Sequence, residues 1–267
     1  MDIFKKRKVV LALGGGAARG LANIGVLKVF QREEIPVDLV VGSSIGSLVG
    51  AGFCLGIPLY KMEKEALEFT INQLTDFSVS RKSLLRGKKL EDFIGIFVDD
   101  KNFEDTKIPL AVTATDIETG EELVYRKGNL KKILTASCSW PGIFPPIEMD
   151  GRKLVDGGIR NSIPVKNALD LGATFVIAVH IGFCVKNTAL DNLFQLFIQS
   201  IQILGEELDR YQTLPANIVI KPSLKDLDQF AFHRAKEAIS DGEKAAEKLL
   251  PEIKKKLSLK KKKRWKL

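Results

Sequence analysis

The sequence predicts an α/β domain with a mostly parallel sheet covered by helices, on three observations. Short β-branched runs alternate with helix-length amphipathic stretches, the pattern that parallel sheets require. The first two apolar runs each end in small residues, Gly14-Gly15-Gly16 and Gly42-Ser43-Ser44, and each turn opens into helical periodicity. The 267 residues are 45% hydrophobic and 28% charged, enough to bury one sizeable core, and no long polar linker divides them.

Taken in order, Val9–Leu13 reads as a buried strand ended by the three glycines, followed by a helix over about residues 18–33 that Pro36 stops. Residues 37–41 form a second strand. After the turn, Ile45–Leu55 is helical, with Gly46 and Gly50 four apart so that the helix can lie close to the sheet. Pro58 starts another helix. Residues 77–89, with Ser78, Ser80, Ser83 and five basic residues, read as an exposed loop or lid. Further strands are predicted over residues 109–115, 122–125, 175–181 and 218–221, and helices over residues 190–211 and 232–256. There is no internal repeat.

The chain carries 41 Lys and Arg against 33 Asp and Glu, but the excess sits at the ends. The last fourteen residues hold nine basic residues and no acid, and Lys5 to Lys8 form a second cluster, so the body is close to neutral. This argues against a nucleic-acid-binding face. Cys54, Cys138 and Cys184 are odd in number and widely spaced, which suits neither a disulfide framework nor a zinc site. Reduced thiols in a cytoplasmic setting are expected. The apolar run before Gly14 is too short for a signal sequence, and no stretch approaches the roughly 20 apolar residues of a membrane span.

Three segments carry chemistry. Gly42-Ser43-Ser44-Ile45-Gly46 matches GxSxG between a predicted strand and a predicted helix. In that context the tight turn lifts Ser44 clear of the backbone at a helix N-terminus, as a nucleophile requires; outside it, the motif is an ordinary Gly/Ser turn. The loop from Gly14 to Gly20 ends the first strand with backbone N–H groups free to face an anion, so it can serve as an oxyanion hole or as a dinucleotide pyrophosphate loop. Against the dinucleotide, Arg19 occupies the third glycine place of the tighter fingerprint and Asp38 begins the second strand instead of ending it. Asp156-Gly157-Gly158 is either a plain Asp-Gly turn or a turn that fixes a carboxylate as base.

Together LALGGGAARGLANIGVLK, GSSIG and DGGIRNSIPV, with ASCSWPGIFPP before the last, resemble the patatin-like phospholipase family in order and spacing. The likeness runs from about Val9 to Ala178. It implies a three-layer α/β/α fold and a Ser-Asp dyad: Ser44 as nucleophile, Asp156 as base, Gly14, Gly15 and Gly16 as oxyanion donors, and Arg19 as a positioning residue. It also implies a lipid or acyl-ester substrate, a phospholipase A-like esterase reaction and no cofactor or metal. Where many family members have His, this chain has Asn23.

An α/β-hydrolase triad is the competing arrangement, since the order Ser44, Asp156, His180 suits it and His180 and His233 are the only histidines. Residues 1–253 are read as the domain and 254–267 as a basic tail. The tail interleaves lysines with Leu257, Leu259, Trp265 and Leu267, which suits either peripheral contact with an anionic inner-membrane surface or a solvated helix end.

Overall fold

The computed structural model describes residues 7–77, 83–183 and 192–259. Eight strands form one sheet: β1 (Val9–Leu13), β2 (Leu39–Gly42), β3 (Leu110–Asp116), β4 (Glu122–Tyr125), β5 (Ile147–Met149), β6 (Arg152–Asp156), β7 (Phe175–Val179) and β8 (Ile218–Ile220). Their order is β5-β6-β3-β2-β1-β7-β8, with β4 paired to β3. From β3 through β2, β1 and β7 to β8 the pairs are parallel, whereas β4, β5 and β6 add an antiparallel edge. Every residue of β1 is buried, as a central parallel strand covered on both faces demands.

Alternation along β1 separates two helical layers. Val9, Leu11 and Leu13 pack with residues of α1 (Ala22–Arg32), α2 (Ile45–Leu55) and α8 (Ala235–Lys256). Val10 and Ala12 pack instead with Ile163, and with Val165 and Ala168 of α6 (Val165–Asp170). The remaining helices are α3 (Leu59–Glu68), α4 (Lys88–Val98), α5 (Leu130–Ser137) and α7 (Leu193–Gln212). The result is the three-layer α/β/α arrangement. Leu13 is in register with Gly42 on one side and Val179 on the other, so the loops that follow β1, β2 and β7 emerge together. Sites of open parallel sheets lie at that edge.

Several elements differ from the sequence reading. The first helix is split, because Gly16 (φ 134°) and Ala17 (φ 48°) turn the chain into a 3-10 segment, Ala17–Leu21, before α1 begins. Helices α4, α5 and α6 and the β5-β6 hairpin are additional. The hairpin turns at Asp150 and Gly151, φ 52° and 73°, the conformation that an Asp-Gly pair favours. Within the segment 77–89, expected as an exposed loop or lid, Phe77 and Leu85 form a bridge, and the Asp76 carboxylate accepts from the N–H groups of Arg86, Gly87 and Lys89; residues 78–82, with Ser78 and Ser80, lie outside the described residues.

Helix α8 continues through the expected boundary at residue 254, where Lys254 pairs with Glu33 at 2.6 Å. Residues 260–267 of the tail, and Cys184, fall outside the described set. Cys54 and Cys138 are free thiols. Helix α7 is turned inside out: Gln202 and Asp209 are buried, while Leu193, Phe197, Leu204 and Tyr211 are each more than 60% exposed.

Candidate active site

Ser44 sits between β2 and α2 with φ 53° and ψ −132°, a conformation that non-glycine residues adopt only when the surroundings enforce it. The two motif glycines make this turn feasible. A Cβ on Gly42 would lie 2.5 Å from the Ser47 Cα, and one on Gly46 would lie 2.4 Å from the Leu13 carbonyl oxygen. Two hydroxyls satisfy the strained backbone: Ser137 Oγ accepts from the Ser44 N–H at 3.0 Å, and Ser47 Oγ donates to the Ser44 carbonyl at 2.6 Å.

The Ser44 hydroxyl donates to Asp156 Oδ2 at 2.6 Å. Asp156 ends β6, and its other oxygen accepts from the Gly158 N–H at 2.7 Å, which fixes the carboxylate over the following 3-10 turn. Asp156 is 1% exposed. Burial, only partly offset by the bonds from Ser44 and Gly158, raises its pKa to about 7, because a carboxylate without solvent favours its proton. Ser44 and Asp156 share one cavity walled mainly by apolar side chains, among them Met62, Phe69, Phe93, Trp140 and Phe232.

The glycine loop lies beside Ser44, since a Cβ on Gly15 would stand 3.1 Å from the Ser44 Cβ. Its amides are not equivalent. Gly14 N–H donates to the Val179 carbonyl at 3.2 Å, extending the β1–β7 pairing, and Gly15 N–H donates to the carbonyl of Ser162, in the stretch before α6, at 3.0 Å. Among the described residues, the N–H groups of Gly16 and Ala17 have no protein partner, and both residues line the cavity. Of the three glycines expected as donors, Gly14 and Gly15 have engaged amides and Gly16 does not; the Ala17 amide, which the motif did not single out, is also unengaged among the described residues.

Arg19 does not line the cavity. Its buried guanidinium donates to the carbonyls of Gly182 at 3.1 Å and Leu227 at 2.6 Å, tying the loop to the segments after β7 and before α8. Asn23 works from below: its amide donates to the carbonyls of Gly14 and Gly20. His180 follows β7, with Nε2 3.5 Å from an Asp209 oxygen, and neither ring nitrogen hydrogen-bonds to Ser44 or Asp156. Ser137 and Ser162 were not anticipated as site residues. ASCSW was legible as a family segment, but which of its hydroxyls meets the elbow depends on how α5 ends.

A family model for patatin-like phospholipase matches residues 11–169. Neuropathy target esterase sws of Drosophila melanogaster is 36% identical over 180 residues, covering 64% of this chain and 13% of that protein. An uncharacterised NTE family protein of Mycobacterium bovis is 34% identical over 186 residues, 69% of this chain and 52% of that one. Human patatin-like phospholipase domain-containing protein 6 is 34% identical over 182 residues, 65% of this chain and 13% of that protein. The match thus spans about half or less of these relatives' length. Among solved structures, VipD from Legionella pneumophila superposes with a TM-score of 0.64 at 14% identity, covering 92% of this chain and 67% of VipD, which shows the shared fold. Fold, ordered motifs and the family match agree, and the chain belongs to the patatin-like phospholipase family.

Proposed function

We propose that the chain is a serine acyl hydrolase acting on lipid esters of the phospholipase A type, with Ser44 and Asp156 as a catalytic dyad. The observation that carries the reading is the 2.6 Å bond from the Ser44 hydroxyl to a buried carboxylate at the base of an apolar cavity. Ser44 Oγ attacks the acyl carbonyl carbon while Asp156 takes the hydroxyl proton. The Gly16 and Ala17 amides then receive the tetrahedral oxyanion. Collapse expels the alcohol, which takes the proton from Asp156, and leaves an acyl-serine. Water, deprotonated by Asp156, releases the fatty acid and restores Ser44. No step calls for a metal or organic cofactor.

The apolar walls suit an acyl chain, and the kinship with proteins known as phospholipases and as an esterase supports a lipid substrate. A dinucleotide reading of the loop fares worse, because the Gly14 and Gly15 amides are already engaged and the Ser44–Asp156 pair would have no task. The outward apolar side of α7 and the basic tail support contact with a lipid surface.

A fluorophosphonate probe tests the core of the proposal. Labelling of the wild type at Ser44, absent in Ser44→Ala, is expected. Long-chain ester hydrolysis that persists in an unlabelled enzyme would remove Ser44 as nucleophile.

A further inference from the structure

Helix α7 turns toward the protein a face on which Ile198 is joined by buried Gln199, Gln202 and Asp209. Glu206 and Asp209, one helical turn apart, meet His180 at the end of β7, and the three donor groups lie within 4.8 Å of one another. His180 is 3% and Asp209 2% exposed, with Glu206 half-buried between them and solvent. Among the described residues, the buried His180 Nε2 has no hydrogen-bond partner. Among the described residues, no lysine or arginine pairs with either acid: Glu206 accepts from the Phe183 N–H at 3.1 Å, and Asp209 accepts from the Ser162 hydroxyl and stands 3.5 Å from His180 Nε2.

Two carboxylates facing a buried imidazole nitrogen that makes no hydrogen bond among the described residues, with little solvent, lack a fixed cationic partner. We propose that His180 Nε2, Asp209 Oδ2 and a Glu206 carboxylate oxygen bind one divalent transition-metal ion of the Zn2+ or Mn2+ class, which fastens α7 to the end of the sheet. The proposal is independent of the hydrolase reading.

Three features favour a metal over a simple polar contact. The 3.5 Å between Nε2 and Asp209 Oδ2 is the separation of two donors each about 2.1 Å from a shared ion. Both carboxylates are oriented by a second donor, the Ser162 hydroxyl on one and the Phe183 N–H on the other, as carboxylate ligands of metal sites usually are. The space is kept open by Gly182, at φ 67°, where a Cβ would lie 3.1 Å from a Glu206 oxygen and 3.5 Å from His180 Nε2. The imidazole selects against Ca2+ and Mg2+, which prefer all-oxygen shells. The ion's role would be structural: Ser162 joins the cluster through its hydroxyl and holds the Gly15 amide through its carbonyl.

The test is calorimetric titration of chelator-treated full-length protein with Zn2+ and, separately, with Mn2+, which thiols hold poorly. One ion per chain is expected for at least one metal, with a raised melting temperature. Glu206→Gln and His180→Gln should each weaken binding by about tenfold or more, whereas His233→Ala and Ser44→Ala should bind as the wild type does. Should His180→Gln fail to fold, Glu206→Gln decides, since its side chain reaches the surface. Absence of saturable binding of either ion, or unchanged affinity in Glu206→Gln, would overturn the site.

Discussion

Ser44 and Ser162 each donate a hydrogen bond to a buried aspartate, Asp156 and Asp209, and both serines line the same cavity on either side of the glycine loop. Their surroundings differ in every other respect. Among the described residues, Ser44 stands on a strained turn at the start of α2, beside two unengaged amides, and its aspartate's carboxylate hydrogen-bonds only to Ser44 and the Gly158 N–H. Ser162 lies in the stretch before α6, its carbonyl is occupied by the Gly15 amide, and its aspartate is shared with His180. A hydroxyl on a carboxylate is therefore not enough for a nucleophile. In the proposed mechanism, what distinguishes the first pair is a carboxylate whose proton affinity is raised by burial, with unengaged amides beside the serine for the charge that would develop.

The largest expected effect follows from that contrast. Ser44→Ala should lower ester hydrolysis by on the order of 10⁴-fold or more, with an unchanged circular dichroism spectrum, since removing one oxygen at a turn tip costs little stability. Activity near the wild-type level would erase the distinction between the two serines.

Asp156→Asn comes next, with a loss on the order of 10³-fold or more because an amide cannot accept the proton. It also has a stability signature. Asp156 has its pKa raised from 3.8 to about 7 by burial, so the folded state holds the proton more tightly than the unfolded chain. That contribution is complete below pH 3.8 and is lost as pH rises through about 7. At pH 8 the wild type bears the cost of a buried charge, on the order of 4 kcal/mol at most, which asparagine does not. Denaturant midpoints should therefore favour Asp156→Asn more at pH 8 than at pH 5. In the wild type, kcat/KM should fall about tenfold per pH unit below pH 7, as the base becomes protonated. A midpoint difference independent of pH would mean that Asp156 ionises freely.

A smaller effect is expected at Ser137, which accepts from the Ser44 N–H and reaches Ser47 Oγ at 3.2 Å. Ser137→Ala leaves a backbone donor of the strained turn unpaired, at about 1–3 kcal/mol. Turnover should drop by about tenfold with little change in KM, read from Michaelis curves at the wild-type pH optimum. A change confined to KM would make Ser137 part of the substrate wall instead of the elbow's support.

How much of this was legible without coordinates depended on whether the signal was local. VVLAL followed by glycines, and GSSIG between apolar runs, carry their conformation in a few neighbouring residues, so the strand and the elbow could be read directly, whereas Asp156 stood out from a plain Asp-Gly turn only through the family resemblance of the ordered motifs. The split of the first helix could not, since it follows from Gly16 and Ala17 adopting positive φ against Ile181. The division of labour among the loop amides is set by Val179 and Ser162, more than 140 residues away in the chain. The β5-β6 hairpin was within reach, because Asp150-Gly151 is a turn signal between two short strands. Helix α7 misleads by periodicity alone: apart from buried Ile198, most of its large apolar residues face outward.

The smallest effect is predicted where the comparison is sharpest. Ser162→Ala removes the hydroxyl that satisfies Asp209 and leaves intact the backbone carbonyl that holds Gly15. The carboxylate then keeps a buried oxygen with one partner fewer, a loss of about 1–3 kcal/mol that a thermal melt should register. Catalysis should change by no more than about threefold, because the elbow, its base and the Gly16 and Ala17 amides keep their places. His180→Ala belongs to the same class, since the imidazole touches Asp209 and not Ser44. If either substitution abolished turnover in a protein that still folds, the second cluster would belong to the catalytic machinery, and a histidine-dependent mechanism would replace the dyad. Destabilisation with preserved turnover is the outcome that separates a structural Ser–Asp pair from a reactive one on the same sheet edge.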